Sequence, residues 1–324
     1  MSLKITVAIC TSSRYELLPN AIESLANQTL MSSFFEILVI DNTGDAEISA
    51  AFWDDFVLPG NGRIVFSGPP NVSKARNRAI DECRAPLLCF LDDDAVAEQN
   101  WLEEIVQFFT SHAQLAVCGG PVLPIWPGGE PPTWLPPHYS SMLSILDYGR
   151  GDRMLAKGQH LCGTNIAFNT EILRGVGDYD ERIGRTGSNS LMSNEEIVLQ
   201  DKVDGAGYKK GYCANAIVYH QISESRLTRD WFRSRVAWQA VSEVIADDSS
   251  PFDFDGSMKQ LVAVSQRLNL SSALTKMLRN EEGQKMDDQL AFVSHLLGVF
   301  LYSNQLKDES LLSAFTRLQD KGAS

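Results

Sequence analysis

The chain has 324 residues, 44% hydrophobic and 21% charged, values that support a sizeable globular core and exclude disordered and collagen-like classes. With 28 basic and 41 acidic residues the net charge is −13. Such a surface repels a phosphate backbone, so no nucleic acid partner is expected, whereas a small phosphorylated ligand can still bind through a divalent cation. The six cysteines (Cys10, Cys83, Cys89, Cys118, Cys162 and Cys213) form no Cys-x-x-Cys pair and no zinc-type spacing, which points to buried thiols in a reducing cytosol.

Ile5–Cys10 reads as a first strand. Its apolar stretch is about five residues against the 7–15 or so of a signal peptide, and no small-residue cleavage site follows. Leu17, Leu18, Ala21, Ile22 and Leu25 recur at helical spacing, and Phe35–Ile40 is a buried strand that ends at Asp41-Asn42-Thr43-Gly44. A weaker strand at Arg63–Phe66, a helix over Ser73–Cys83 and a strand at Pro86–Leu91 lead into Asp92-Asp93-Asp94. A helix through Trp101, Leu102, Ile105, Val106 and Phe109 precedes a strand at Leu115–Cys118. Continuous apolar strands alternating with helices imply an α/β fold with a mostly parallel sheet covered on both faces. Seven of the 13 prolines lie between Pro121 and Pro137, a composition that predicts an ordered loop at a site edge.

Regular signals return at Asn165–Phe168 and Ala216–Tyr219, and the pattern is helical over 228–246, 257–278, 287–302 and 309–318. The expected organisation is a catalytic domain over residues 1–225 and a C-terminal helical region over 226–324. The apolar run Leu290–Tyr302 is interrupted by Ser294 and His295 and is shorter than the roughly 20 residues of a membrane span. A cytoplasmic protein is expected. The helical region is where peripheral contact with the inner face of a membrane, or a homo-oligomer, would arise.

Ligands of open parallel sheets bind beyond the carboxyl ends of strands. Three polar clusters fall at such ends: Thr11-Ser12-Ser13-Arg14, Asp41-Asn42 and Asp92-Asp93-Asp94. Three adjacent carboxylates repel one another, and a hard divalent cation, Mg²⁺ or Mn²⁺, relieves that repulsion while leaving coordination positions for substrate phosphates. The competing reading of the triplet is a solvated acidic loop or a helix cap. For Asp41 it is a turn cap, and for Arg76 a charge on a helix surface.

The succession Val-Ala-Ile-Cys-Thr-Ser-Ser-Arg, Leu-Val-Ile-Asp-Asn, Lys-Ala-Arg-Asn and Phe-Leu-Asp-Asp-Asp-Ala, continued by Gly163-Thr164-Asn165 and Asn194-Glu195-Glu196, resembles glycosyltransferase family 2, which has the GT-A fold. The resemblance covers roughly residues 3–225. It implies an inverting transferase that takes a sugar from a UDP-, GDP- or dTDP-sugar donor to a hydroxyl of a glycan or lipid-linked acceptor, in polysaccharide or glycolipid biosynthesis. It also implies roles for residues. Thr11, Ser13, Arg14, Asp41, Arg76, Asn77, Asp92 and Asp93 would face the nucleotide, with Asp41 at the base. Asp92, Asp94 and His220 would hold Mn²⁺ or Mg²⁺.

Glu196 would be the base that deprotonates the acceptor, with Glu195 beside it. Gly163, Asn165 and Trp134 are assigned to the sugars, and Arg226 and Arg229 to the diphosphate. Ser73 stands where the family often has a glycine, and Glu196 where it usually has an aspartate. Two other classes compete with this reading. A sugar nucleotidyltransferase would need a glycine-rich loop after the first strand, where this chain has Cys10-Thr11-Ser12-Ser13-Arg14. A non-catalytic nucleotide-binding partner protein would have no use for both the metal acids and the base.

Overall fold

The computed structural model describes residues 2–187, 190–246, 254–268 and 283–303. Strands β1 (Ile5–Thr11), β2 (Phe35–Asp41), β3 (Gly62–Phe66) and β4 (Leu87–Leu91) pair in parallel in the order β3-β2-β1-β4. The sheet continues through β9 (Asn165–Asn169), β6 (Leu115–Gly119), β10 (Lys209–Tyr212) and β8 (Arg153–Met154). β9 runs antiparallel to both β4 and β6, β10 runs parallel to β6, and β8 closes the edge antiparallel to β10. Two- to four-residue strands such as β8 and β10 carry too little periodicity to be read from sequence.

Side chains alternate across the sheet, and the two faces are distinct. Ile5, Val7, Ile9, Ile37, Val39 and Cys89 pack on one side with helices α1 (Leu18–Ala26) and α4 (Trp101–Ser111). Ala8, Leu38, Ile40, Leu88 and Phe90 pack on the other with α3 (Val72–Glu82), α5 (Thr170–Val176) and α6 (Glu195–Gly205). Asp45 caps a further helix, α2 (Ala46–Trp53), by accepting from the amides of Glu47 and Ile48. α3 starts at Val72 because Asn71 caps it, its side chain accepting from Lys74 N at 2.9 Å. Ser73 is buried within that first turn and adopts no left-handed backbone, so a glycine is not needed there.

A second, three-stranded sheet crosses the end of the acid triplet, in the order β5 (Ala95–Ala97), β11 (Val218–Gln221), β7 (Val122–Ile125). β7 lies inside the stretch expected to be loop. It is an edge strand of its sheet, paired along its length with β11 and bridged at Val122 to Leu146, and an edge tolerates Pro124.

Asn165, read from sequence as a sugar contact, instead binds the two sheets together. It is fully buried, its Nδ2 donates to Pro121 O (3.0 Å) and Ala216 O (2.8 Å), and its Oδ1 accepts from Trp101 Nε1 at 2.9 Å.

Two compact units are found. One comprises Met1–Ile125, Ser144–Glu181 and Glu195–Ile222; the other comprises Trp126–Leu143, Arg182–Asn194 and Ser223–Ser324. In the second, α7 (Arg229–Ile245), α8 (Phe254–Leu268) and α9 (Gln284–Ser303) pack together. Arg233 reaches Gln289 (3.2 Å), Arg267 pairs with Asp288 (2.7 Å), and His138 meets Asp287 at 3.0 Å. The helical signals over 269–278 and 309–318 lie outside the described residues. Among the described residues no helix is long and apolar enough to cross a membrane.

Asn165→Ala removes three buried hydrogen bonds, with Pro121 O keeping that from the Val218 amide, and is expected to lower stability by roughly 3 kcal/mol. The urea midpoint of equilibrium unfolding measures this, and an unchanged midpoint would contradict the role given to Asn165.

Candidate active site

The carboxyl ends of β1, β2 and β4 bring Thr11, Asp41 and Asp92 to one edge of the sheet. Strand alternation, carried one step past β4, divides the triplet between the two faces. Asp93 lies on the side of Thr11, whose hydroxyl donates to it at 2.8 Å. Asp92 lies on the side of α3, where Arg76 Nη2 stands 3.7 Å from its Oδ1. Because β9 is antiparallel to β4 with Asn165 opposite Leu91, Thr164 falls opposite Asp92, and its hydroxyl donates to Asp92 Oδ2 at 2.6 Å. β11 performs the same service for Asp94. His220 pairs with Ala95, the amide of Gln221 donates to Asp94 O, and His220 Nε2 stands 3.2 Å from Asp94 Oδ1.

Asp93 and Asp94 are 1% and 4% exposed, which excludes the solvated-loop reading. Arg14 supplies the compensating charge. Its Nη2 bonds Asp93 Oδ1 and its Nη1 donates to Asp94 Oδ2 at 2.8 Å, while the side chain stays 44% exposed. Burial works against that charge, but Asp93, Asp94 and Asp92 outweigh it and hold the guanidinium protonated more firmly than usual. Burial pushes Asp93 up to about 7, with Arg14 opposing and Asp94 reinforcing.

A divalent cation suits the pair Asp94 and His220. A 3.2 Å separation is that of two adjacent ligands on one ion with bonds of about 2.1 Å, and a carboxylate with an imidazole is a donor set for Mn²⁺. Among the described residues no third carboxylate or imidazole joins them. The remaining positions would fall to substrate oxygens and water, as is usual for ions of this kind. Asp92, grouped with these ligands from sequence, is turned instead to Thr164 and Arg76.

The second acidic pair opens α6, preceded by Asn194 in the left-handed region (φ 81°), which asparagine tolerates. Glu195 Oε1 accepts from Arg76 Nη1 at 2.7 Å. Oε2 of Glu195 and Oε2 of Glu196 are buried and take no hydrogen bond among the described residues. Burial, reinforced by the charge of Glu195 and opposed by Arg76, pushes the Glu196 carboxyl up to about 7, the range of a general base.

Several sequence expectations change. Asp41 is buried, and its carboxylate accepts from Tyr15 (2.8 Å), Ser49 (2.5 Å), Trp53 (2.5 Å) and Thr43 N (2.9 Å). Burial alone would raise its pKa, but the bonds from Ser49, Trp53 and Thr43 reverse that and lower it. A carboxylate offers about four acceptor sites, so little capacity is left for a nucleobase. Ser13, at φ 60°, donates its amide to Thr43 Oγ1. Asn77 bonds both the amide and the carbonyl of Tyr179 and so holds the chain after α5 against α3. Arg76 is buried rather than a surface charge.

Trp134, Arg226 and Arg229 belong to the second unit. There the Arg229 guanidinium lies 4.9 Å over the Trp134 ring, and Phe232 meets that ring edge-on, so the buried tryptophan is a packing residue. Thr164 and Asn42 stand in the motifs quoted above without a role of their own, and nothing in the sequence marks Tyr15. Thr164 was recoverable from its place between Gly163 and Asn165. Asn42, which accepts from Asn71 N at 2.5 Å and donates to Pro69 O, follows directly on Asp41.

Residues 6–177 match glycosyltransferase family 2. The chain belongs to that family. It is 26% identical over 309 residues to the glucosyl-dolichyl phosphate glucuronosyltransferase of Haloferax volcanii, covering 93% of each chain. It is 27% identical over 288 residues to the succinoglycan biosynthesis protein ExoM of Rhizobium meliloti, covering 74% of this chain and 90% of that one. In fold it is similar to S. aureus TarS 1-349 in complex with UDP-GlcNAc, with TM-score 0.52 at 14% identity, covering 94% of this chain and 92% of that one. It is also similar to GalNAc-T7 with UDP, GalNAc and Mn²⁺, with TM-score 0.53 at 15% identity, covering 77% of this chain and 51% of that one. The fold is therefore GT-A and the protein a glycosyltransferase, which sets aside both the nucleotidyltransferase and the non-catalytic binding protein.

The raised carboxyl of Glu196 has two consequences. Its folded value of about 7 exceeds the ordinary 4.5, so the native state binds more protons than the unfolded state between those values. Stability therefore falls as pH rises through that window. Glu196→Gln is expected to flatten the decline of Tm across this range. Wild-type transfer should rise with a midpoint near 7 as the carboxylate forms. Parallel Tm profiles for wild type and variant would contradict the assignment.

Proposed function

We propose that this enzyme is a metal-dependent, inverting transferase that moves a sugar from a nucleoside-diphosphate donor to a hydroxyl of a lipid-linked or glycan acceptor. The observation that carries this reading is the shared arginine. Arg76 stands 2.7 Å from Glu195 and 3.7 Å from Asp92, so the acid triplet and the second acidic pair border one site. These two acidic groups are what a donor held on one side and an acceptor deprotonated on the other would require. The relatives named above support a role in glycolipid or polysaccharide assembly. The UDP and Mn²⁺ of the GalNAc-T7 structure support a nucleotide donor and a divalent ion.

Asp94 and His220 would hold the ion, which when bound supplies a Lewis acid against charge on the departing diphosphate. Arg14, anchored on Asp93 and Asp94 with much of its length exposed, adds a positive charge on the donor side. Asp92, about one third exposed and fixed by Thr164, presents a carboxylate to the ribose. Asp41 shapes the base end of the site through Tyr15 and Trp53. Glu196 takes the proton of the acceptor hydroxyl as that oxygen attacks the anomeric carbon, in one displacement with inversion. We assign catalysis to residues 1–225 and an accessory role to the helices of 226–324.

The test is release of nucleoside diphosphate from UDP-, GDP- and dTDP-sugars, with and without Mn²⁺, in the presence of candidate acceptors. Removal of the proposed base is expected to cost roughly 10²–10⁴-fold in kcat for Glu196→Gln. Asp94→Ala is expected to abolish the Mn²⁺ dependence along with turnover. Full turnover in both variants would overturn the proposal.

A further inference from the structure

Arg76 has one feature that nucleotide contact does not explain: it is enclosed. Its side chain is 6% exposed, and its guanidinium carbon lies 5.4 Å from the Tyr179 ring centroid and 5.8 Å from that of Phe90. Nη1 donates to Glu195 at 2.7 Å, and Nη2 leans toward Asp92 at 3.7 Å. The remaining side is closed by Gly163, where an added Cβ would come within 2.8 Å of Nη2. Gly163 has no positive φ, so its backbone does not demand glycine; the space for the guanidinium does.

We infer that Arg76 is a positioning residue, whose guanidinium fixes Glu195 and thereby the start of α6 so that the adjacent Glu196 is set toward the acceptor. This rests on the transfer reading above and deepens it. A guanidinium suits the task because it stays charged when buried and presents its donors in a rigid fork, one arm for each carboxylate. An ammonium at this place has a single charged centre and cannot span both acids. With its faces against rings and its edges against acids, Arg76 has little surface left for a nucleoside. Gly163, assigned from sequence to the sugars, becomes the residue that makes room for the clamp.

The experiment separates nucleotide affinity from turnover. Calorimetry with Mn²⁺ and nucleoside diphosphate gives Kd, and steady-state release of nucleoside diphosphate gives kcat, for wild type, Arg76→Met, Arg76→Lys, Glu195→Gln and Gly163→Ala. Misplacement of the base by about 1 Å costs on the order of 10²-fold, and a loss of that size in kcat is expected for Arg76→Met. Its Kd should move by less than about tenfold. Arg76→Lys should recover little. The double variant Arg76→Met/Glu195→Gln should be no slower than the slower single variant, since both remove the same contact.

Gly163→Ala keeps every charge and pushes on the Arg76 guanidinium, so it reports even where Arg76→Met does not fold. A kcat lowered at unchanged Kd supports the inference. Variants that lose nucleotide affinity while keeping kcat, or a Gly163→Ala enzyme equal to wild type in kcat, would overturn it. A wild-type protein that turns over no nucleotide sugar would instead overturn the transfer reading.

Discussion

Three consecutive carboxylates at the end of a buried strand repel one another, and two of them, Asp93 and Asp94, have almost no exposed surface. Each therefore needs its own compensation, and β-strand alternation decides where that can come from. Asp93 turns to the face that carries Thr11 and Arg14, and Asp92 to the face that carries Arg76 and Thr164. Asp94 meets Arg14 and His220. The three acids thus recruit residues from β1, α3, the start of β9 and β11, and the recruited residues define the site. Arg14 reaches its position from the turn after β1 and Arg76 from the first turns of α3.

Two departures from a purely parallel sheet make this possible. The antiparallel β9 places its N-terminal end beside the C-terminal end of β4, so Thr164 and Gly163 come to the acids from the far side. The short β5 lets β11 return over the triplet with His220 in register with Ala95. Asn165 then holds both departures to α4 through three hydrogen bonds. Its burial explains why a polar residue in a chemically suggestive motif is a structural one.

The parallel half of the sheet was legible because β1, β2 and β4 are continuous apolar runs bounded by polar turns, and the acids at their ends follow from that reading. His220 and the Glu195–Glu196 pair were legible only through resemblance to the family, since nothing local distinguishes a histidine at a strand end or two acids at a helix start. The partners of Asp41 were not legible. Ser49 and Trp53 lie on α2, a helix with no clear apolar stripe, and only folding shows that their donors converge on one carboxylate. The burial of Arg76 was not legible for a similar reason. A basic residue amid the sequence Lys74-Ala75-Arg76-Asn77-Arg78 fits a helix surface equally well, yet α3 turns Arg76 inward together with Ala75, Ala79 and Ile80.

In the proposed mechanism the acid triplet is divided rather than acting as one cluster, with Asp94 and His220 as the cation-holding pair and Asp92 serving the other side. A crystal structure with Mn²⁺ and a nucleoside diphosphate, phased to locate manganese by its anomalous signal, tests it most directly. A single manganese peak between Asp94 and His220 is expected, with the diphosphate oxygens completing its coordination and the Arg76–Glu195 pair intact. A manganese ion held by Asp92 and Asp93, or a diphosphate bound away from the ends of β1 and β4, would contradict it.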